Sequence, residues 1–360
     1  MERLSEKILG FFKNEWHMKR YPLVSFIILN WNGKKRLEKC LSSIQKLQYP
    51  NKEIIIVNNG STDDSASFIK KYYPEITVIE LRRNVGYAKG KNIGVSRAKG
   101  KYVLALDNDT AVTSNFLLPL VEDLEKDSSI GIVQPQIRSM IKSNLLDSVC
   151  AFLTFTGFLY YIGHMKSYKR AIYSQPIFGY SIKGACFLMR KKDYLSLGGL
   201  DETFISYVEE TDLCHRVWLN GKKVLYDPKS VIYHWGGGDT QIMEANEASI
   251  FRSFKNRIVS YLKNLSVIEL VKILPVHIIF SELIIMAFLL RFQFKKAIAV
   301  QYGVIYPFLH LESIFEKRAY IQKKIRKVKD RDINRFIMRN PRPSYYWQSI
   351  SSDDLKNYKD

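Results

Sequence analysis

The first half of this 360-residue sequence predicts a doubly wound, mostly parallel α/β sheet, and three observations carry that expectation. Short runs rich in β-branched residues alternate with stretches of helical period between Val24 and Leu106. These runs end in polar residues, at the strand ends where such sheets bind ligands. After Thr240 the chain changes character and continues as apolar and basic segments of helical type.

The elements follow in order. Val24–Asn30 (VSFIILN) reads as a strand. Leu37, Leu41, Ile44 and Leu47 recur at three- and four-residue steps and predict a helix. Glu53–Val57 is a second strand, followed by a helix over Asp64–Tyr72 with Phe68 and Ile69 inward. Thr77–Leu81 is a third strand, Tyr87–Ala98 a helix stopped by Gly100, and Lys101–Leu106 a fourth strand. Val133–Ile137 reads as a strand, and the aromatic stretch Phe152–Tyr161 as a helix, a hairpin or a lid. Ala185–Arg190 is a strand, and Glu209–Leu219 a helix ended by Gly221. Val224–Tyr226 and Val231–His234 are short strands.

The bulk properties narrow the function classes. A composition of 46% hydrophobic and 25% charged residues supports a sizeable core and excludes global disorder. Cys40, Cys150, Cys186 and Cys214 form no CxxC pair and read as reduced core residues of a cytosolic protein. The first 21 residues have no small-residue cleavage site and read as an amphipathic segment, with Leu4, Ile8, Phe11 and Phe12 on one side. The net charge is +20, and residues 251–360 hold 21 Lys/Arg against 9 Asp/Glu, so +12 of it lies in the last third. Such a tail suits an anionic membrane surface or a nucleic acid, and no RNA- or DNA-binding module is recognisable. Ile268–Leu290 is long enough to span a bilayer, but Lys272, His277 and Glu282 interrupt it and Pro275 would kink it. Interfacial or core helices are therefore favoured over a span. Farther on, Ile314, Ile321, Ile325 and Val328 line a face crowded by lysines and arginines, the pattern of a helix lying on anionic lipid.

Chemistry concentrates at the strand ends. Asp107-Asn108-Asp109 follows the fourth strand. Two carboxylates one residue apart there can share a hard divalent cation, Mg²⁺ or Mn²⁺, and a ribose hydroxyl. Asn84-Val85-Gly86-Tyr87-Ala88-Lys89-Gly90 opens a helix, where glycines admit close backbone approach and the helix N-terminus favours anions. The same glycines serve equally for a turn and for tight helix packing. Glu209-Glu210-Thr211-Asp212 opens another helix, either as ordinary partners of its dipole or as the source of a general base. His234 ends a strand near the same edge and can be a third metal ligand.

Together VSFIILNWNG, VNNGSTDDS, NVGYAKGKNIG, LALDND, GGLDETFISYVEETDLCHR and YHWGGGD resemble, in order and spacing, the family 2 glycosyltransferases of the GT-A fold, especially their rhamnosyltransferase-like branch. The resemblance covers about Val24 to Asp239. It implies a catalytic domain over residues 22–240, with a Rossmann-like nucleotide-binding half and an acceptor half, and a helical basic extension over 241–360. It also implies an inverting, metal-dependent transfer from a nucleotide-diphosphate sugar, dTDP-rhamnose or a UDP-sugar, to a glycan or lipid-linked acceptor at the inner face of the cell membrane. By the same resemblance Asn30, Asn58, Asn84, Gly86, Lys89, Asp107 and Asn108 would bind the nucleotide sugar, Asp109 and His234 the metal, and Glu210 would be the base. Two departures stand out. Asn58 replaces the usual Asp, which keeps an acceptor oxygen for the nucleobase but drops its charge. Glu210 replaces Asp and adds a methylene, so the pocket is adjusted to it, or Glu209 or Asp212 serves instead. A sugar nucleotidyltransferase would show a different glycine-rich loop from NWNGKK after the first strand. A non-catalytic membrane scaffold would have no use for Asp109, Glu210 and His234.

Overall fold

The computed structural model describes residues 21–236 and 245–350. The amphipathic segment expected over residues 1–21 lies, but for Tyr21, outside them, as does the end of the YHWGGGD motif. Strands β1 (Val24–Asn30), β2 (Lys52–Asn59), β3 (Thr77–Leu81) and β4 (Tyr102–Asp107) pair in parallel in the order β4-β1-β2-β3. Between them run helices α1 (Lys34–Gln45), α2 (Ser65–Tyr72) and α3 (Tyr87–Arg97). The expected helix from Leu37 onward is α1, with Leu37, Leu41 and Ile44 buried. Crossovers of this kind cover both faces of a parallel sheet, and a core cluster lies on each.

The sheet then changes direction. It continues through β5 (Thr110–Val112), β6 (Ile130–Ser139), β7 (Leu146–Ser148), β10 (Ile177–Phe178), β11 (Cys186–Arg190) and β12 (Lys223–His234), while β8 (Cys150–Leu153) and β9 (Leu159–Ile162) pair apart. β11 inserts antiparallel between β4 and β6, and β6 pairs parallel with β12. The aromatic stretch read as helix, hairpin or lid is the β8–β9 hairpin. The two short strands expected at 224–226 and 231–234 are one strand, β12, with a register shift between Asp227 and Val231. Four steps on β12, Asp227 to Val231, stand against one on β6, Pro135 to Gln136, and such an insertion reads as a break in the sequence but only bends the strand. Helices α4 (Leu117–Lys126), α5 (Lys191–Ser196) and α6 (Glu209–Leu219) complete this half, and β5, α4 and α5 were not foreseen.

A helical region follows: α7 (Glu247–Asn264), α8 (Val267–Leu290), α9 (Phe294–Leu309), α10 (Leu311–Tyr320), α11 (Asp330–Ile337) and α12 (Pro343–Ile350). Asn246 and Ser266 cap α7 and α8, their side chains accepting from Ser249 N and Glu269 N. One expectation is corrected here. Ile314, Ile321 and Ile325 are buried against the protein, not turned toward lipid. The cations around them are partly structural too: Lys317 reaches Asp201, and Arg318 donates to the carbonyls of Leu262 and Leu265. The large exposed apolar surface belongs instead to α8 and α9.

Two groups lock this region to the sheet. The buried Lys263 ammonium of α7 binds Asp201 and lies 3.1 Å from Asp212 of α6, whose other partners are Arg216, Ser260 and Asn264. Asn256 donates to the carbonyls of Phe204, Ser206 and Tyr207. Removing Lys263 leaves two buried carboxylates with one cation each, Asp201 with Lys317 and Asp212 with Arg216, and an unfilled space between them. Lys263→Ala should therefore cost about 3–5 kcal/mol, read as a lower urea midpoint at unchanged m. A loss below about 1 kcal/mol, the value of an exposed pair, would show that the network is solvated.

Candidate active site

A chain of amides follows the strand order along the carboxyl edge. Asn108 donates to Asn30 (2.8 Å), Asn30 to Asn58 (3.2 Å), and Asn58 to Glu80 (2.8 Å), stepping from β4 to β3. Ser61 donates to the same Asn58 oxygen at 2.5 Å. Gly33 makes this possible, because a Cβ there would stand 2.3 Å from Asn108 Nδ2. Asn84 accepts from Asn59 (3.0 Å) and from Gly86 N (2.8 Å), shaping the turn into α3. Gly86 has φ +89°, and a Cβ would meet Ile205 at 2.8 Å. The first two N–H groups of α3 already donate to Ile205 O, so at those positions the helix terminus holds no free amide for an anion. Lys89 turns outward to Glu202 at 3.7 Å. The next lysine on the helix, Lys91, is buried and donates to Ile27 O and Leu106 O, with Asp107 Oδ1 at 3.2 Å. Tyr87, one helical turn earlier, donates to the same oxygen at 2.9 Å.

Asp107, Asp109 and His234 form a group whose ligand atoms lie within 4.8 Å of one another. β5 pairs with β12 and brings His234 opposite Thr110, so His234 Nε2 faces Asp109 Oδ1 at 3.3 Å. His234 Nδ1 is fixed by Asp147 Oδ2 at 2.7 Å. Burial opposes charge on His234, but its hydrogen bonds to Asp109 and Asp147 prevail and raise it to about 9. Asp147 is held well below the usual carboxylate range in spite of burial, by Lys183 and then His234. Two carboxylates and an imidazole whose far nitrogen is bonded to a third carboxylate fit a divalent cation, and the donor set leaves the choice of ion open.

These residues open into a cavity of about 460 Å³ that also holds Glu209 and Glu210. Burial, and then Asp107, raise Glu210 above the ordinary carboxylate range, while Lys183 pulls it back. Glu209 is raised further, by burial and then by Glu210. Asp212 is consumed by Lys263 and Arg216 and does not line the cavity, which removes it from the candidates for the base. The backbone leading to Glu209 is strained: Ile205, Tyr207 and Val208 all have φ between +63° and +72°. Non-glycine residues adopt this left-handed region at a cost of about 1–3 kcal/mol each, and do so mainly at functional sites.

The cavity thus joins Asp107, Asp109, His234 and Glu210. Asn30, Asn58 and Asn108 form a separate edge that meets it at Asp107, and Asn84 and Lys89 lie off its wall. Tyr87 and Lys91 were legible, standing four apart inside a motif. Asp147 and Lys183 carried no pattern.

Residues 25–192 match the model of Glycosyl transferase family 2. That match covers 168 of the 360 residues, just under half of the chain. The chain is 27% identical to the poly-beta-1,6-N-acetyl-D-glucosamine synthase of Staphylococcus epidermidis over 212 residues, covering 58% of this chain and 49% of the relative, so the chain spans about half that protein's length. Among solved structures, S. aureus TarS 1-349 with UDP-GlcNAc superimposes at TM-score 0.54 and 18% identity, covering 83% of this chain and 90% of TarS 1-349. GalNAc-T7 with UDP, GalNAc and Mn²⁺ gives 0.54 and 19%, covering 68% of this chain and 49% of that one. These likenesses establish the GT-A fold. None of the three relatives is a rhamnosyltransferase.

Asp147 holds His234 in the group that could take a cation, and losing such a supporting carboxylate weakens metal binding about 10–100-fold. Asp147→Asn should do the same to Mn²⁺ affinity in titration calorimetry. Unchanged affinity would show that His234 is not a ligand.

Proposed function

We propose that the protein is an inverting, metal-dependent glycosyltransferase that takes a sugar from a nucleotide diphosphate and gives it to a lipid-linked glycan acceptor at the inner face of the membrane. One observation carries this reading: Asp107, Asp109, His234 and Glu210 line a single cavity.

In this reading the amide edge of Asn30, Asn58 and Asn108 receives the nucleoside, and Asp107, held by Tyr87 and Lys91, meets the ribose. Asp109 and His234 hold the cation, which when bound neutralises charge on the departing diphosphate. Glu210 takes the proton from the acceptor hydroxyl. That hydroxyl attacks the anomeric carbon opposite the leaving group, so the anomeric configuration inverts. Burial suits Glu210 to the task, since a carboxylate with a raised pKa is a stronger base. The relatives set UDP-N-acetylhexosamines ahead of dTDP-rhamnose as first donors to test.

The membrane side rests on α8. Ile268, Val271, Ile279, Leu283, Met286 and Leu290 are exposed on one face, while Ile273, His277, Ser281, Ile284 and Phe288 are buried on the other. By length and composition α8 could cross a bilayer. However, its inner face carries polar groups, and Phe280 and Ile284 line the cavity that holds Asp107. A helix that walls a water-filled site on one side and exposes an apolar stripe on the other suits the membrane surface. Leu283→Asp with Met286→Asp should reduce sedimentation with vesicles at least about tenfold, because each change removes roughly 1.5–3 kcal/mol of apolar burial. Undiminished sedimentation would remove α8 as the contact.

The donor site is tested by thermal shift against UDP-, GDP- and dTDP-sugars with Mn²⁺, Mg²⁺ or EDTA. One nucleotide class should raise the melting temperature in a metal-dependent way. Asp109→Ala should abolish that shift and lower transfer by about 100-fold or more. Glu210→Gln should keep the shift and lose about 10²–10⁴ in transfer. The base must be deprotonated to act, so kcat/KM should fall with decreasing pH through a value above the ordinary Glu 4.5. An acid limb at 4.5 or lower would exclude Glu210.

A further inference from the structure

Arg257 of α7 lines the same cavity. Its Nη2 donates to Ser253 Oγ at 3.3 Å, but Nε and Nη1 are buried and have no hydrogen-bond partner among the described residues. No carboxylate among the described residues stands within ion-pair distance of it; Asp107 is engaged by Lys91 and Asp109 by His234. Its guanidinium lies over the rings of Phe158 (4.9 Å) and Phe254 (5.9 Å). A half-buried guanidinium with two buried, unmatched donors is expensive unless an anion completes it. The planar fork of a guanidinium matches phosphate oxygens two at a time.

The surroundings of this cation separate two sources of phosphate. A donor diphosphate has its own partner set at Asp109 and His234. Arg257 instead stands over Phe158 and Phe254, whose rings pack on His277 of α8, the helix whose outer face carries an exposed apolar stripe. An anion reached from that side is joined to hydrocarbon.

We propose that Arg257 binds a phosphate on the acceptor, the head of an amphiphile whose apolar part runs along α8. This rests on the glycosyltransferase reading and adds the chemical class of the acceptor. Arg257 is then a binding residue in the wall of the cavity that Asp107, Asp109, His234 and Glu210 also line, so one guanidinium sets where the acceptor's head stops.

The test is calorimetric titration of the full chain with dodecyl phosphate below its micelle concentration, dodecanol, inorganic phosphate, and UDP with Mn²⁺. The wild type should bind dodecyl phosphate more tightly than dodecanol or inorganic phosphate. Arg257→Gln should weaken dodecyl phosphate at least tenfold and leave UDP with Mn²⁺ within twofold, and Arg257→Lys, which keeps the charge without the fork, should fall between. Retained UDP binding also certifies that the Gln variant is folded; if it unfolds, the Lys variant decides. If UDP weakens and dodecyl phosphate does not, the guanidinium serves the donor and the proposal fails. It also fails if dodecanol and dodecyl phosphate weaken equally, if inorganic phosphate binds as tightly as dodecyl phosphate, or if no ligand responds to the substitution. Failure of the wild type to bind any nucleotide with metal would count against the glycosyltransferase reading instead, whatever the alkyl phosphate does.

Discussion

The ammonium of Lys263 is the contact on which the rest of the site depends. It is buried between Asp201, which opens the loop 201–208, and Asp212, in the first turns of α6. Asp201 also receives Lys317 of α10, and Asp212 also receives Arg216, Ser260 and Asn264. Two carboxylates at this depth would repel each other and could not stay ionised without the cations between them. With the cations present, loop, helix α6 and the helical region are fixed to each other, and Glu209 and Glu210 stand at the point where they meet.

What this network holds is strained. Ile205, Tyr207 and Val208 sit in left-handed backbone, and contacts from Asn256 to the carbonyls of Phe204, Ser206 and Tyr207 keep the loop there. Ile205 O in turn accepts from the first two amides of α3, the helix that carries Tyr87 and Lys91 to Asp107. Asp107 and the Glu209–Glu210 pair are therefore positioned by one loop clamped from both sides. The helical region is part of that clamp: it supplies Lys263, Asn256 and a wall of the cavity.

Much of this was legible in the sequence, for identifiable reasons. Strands β1 to β4 and their helices were readable because alternating β-branched and helical periods are local signals. Asp107 and Asp109 were readable because a strand led straight into them. The Asp201-to-Asp212 stretch was recognisable as a motif, but the reason for its Asp residues was not, since Lys263 lies about fifty residues away. His234 was found, but Asp147 behind it sits on a three-residue strand with no period of its own. The basic face at 314–328 misled because an amphipathic pattern records that one side is buried and not what buries it. The same ambiguity hid Arg257 inside a charged, ordinary-looking helix.

The geometry of α8 follows from two demands on one element. A cavity that binds a nucleotide must stay wet and polar, and a surface that rests in lipid must be apolar and free of unpaired donors. A single helix meets both by dividing its faces: His277 donates to Thr156 O and Ser281 donates to His277 O on the inside, while leucines, isoleucines and a methionine, with Lys272 and Glu282 among them, occupy the outside. This division leaves α8 with little net amphipathic contrast, because its inner face is itself largely apolar. It therefore reads in sequence as a span interrupted by charges. In the fold the interruptions divide: His277 is fully buried on the inner side, whereas Lys272 and Glu282 are exposed. Its inner face packs on α7 and α9 and reaches the turn of the β8–β9 hairpin at Thr156. In the proposed reading a path from membrane to catalytic groups needs no separate channel, because the helix that walls the cavity would also be the one that lies on the bilayer.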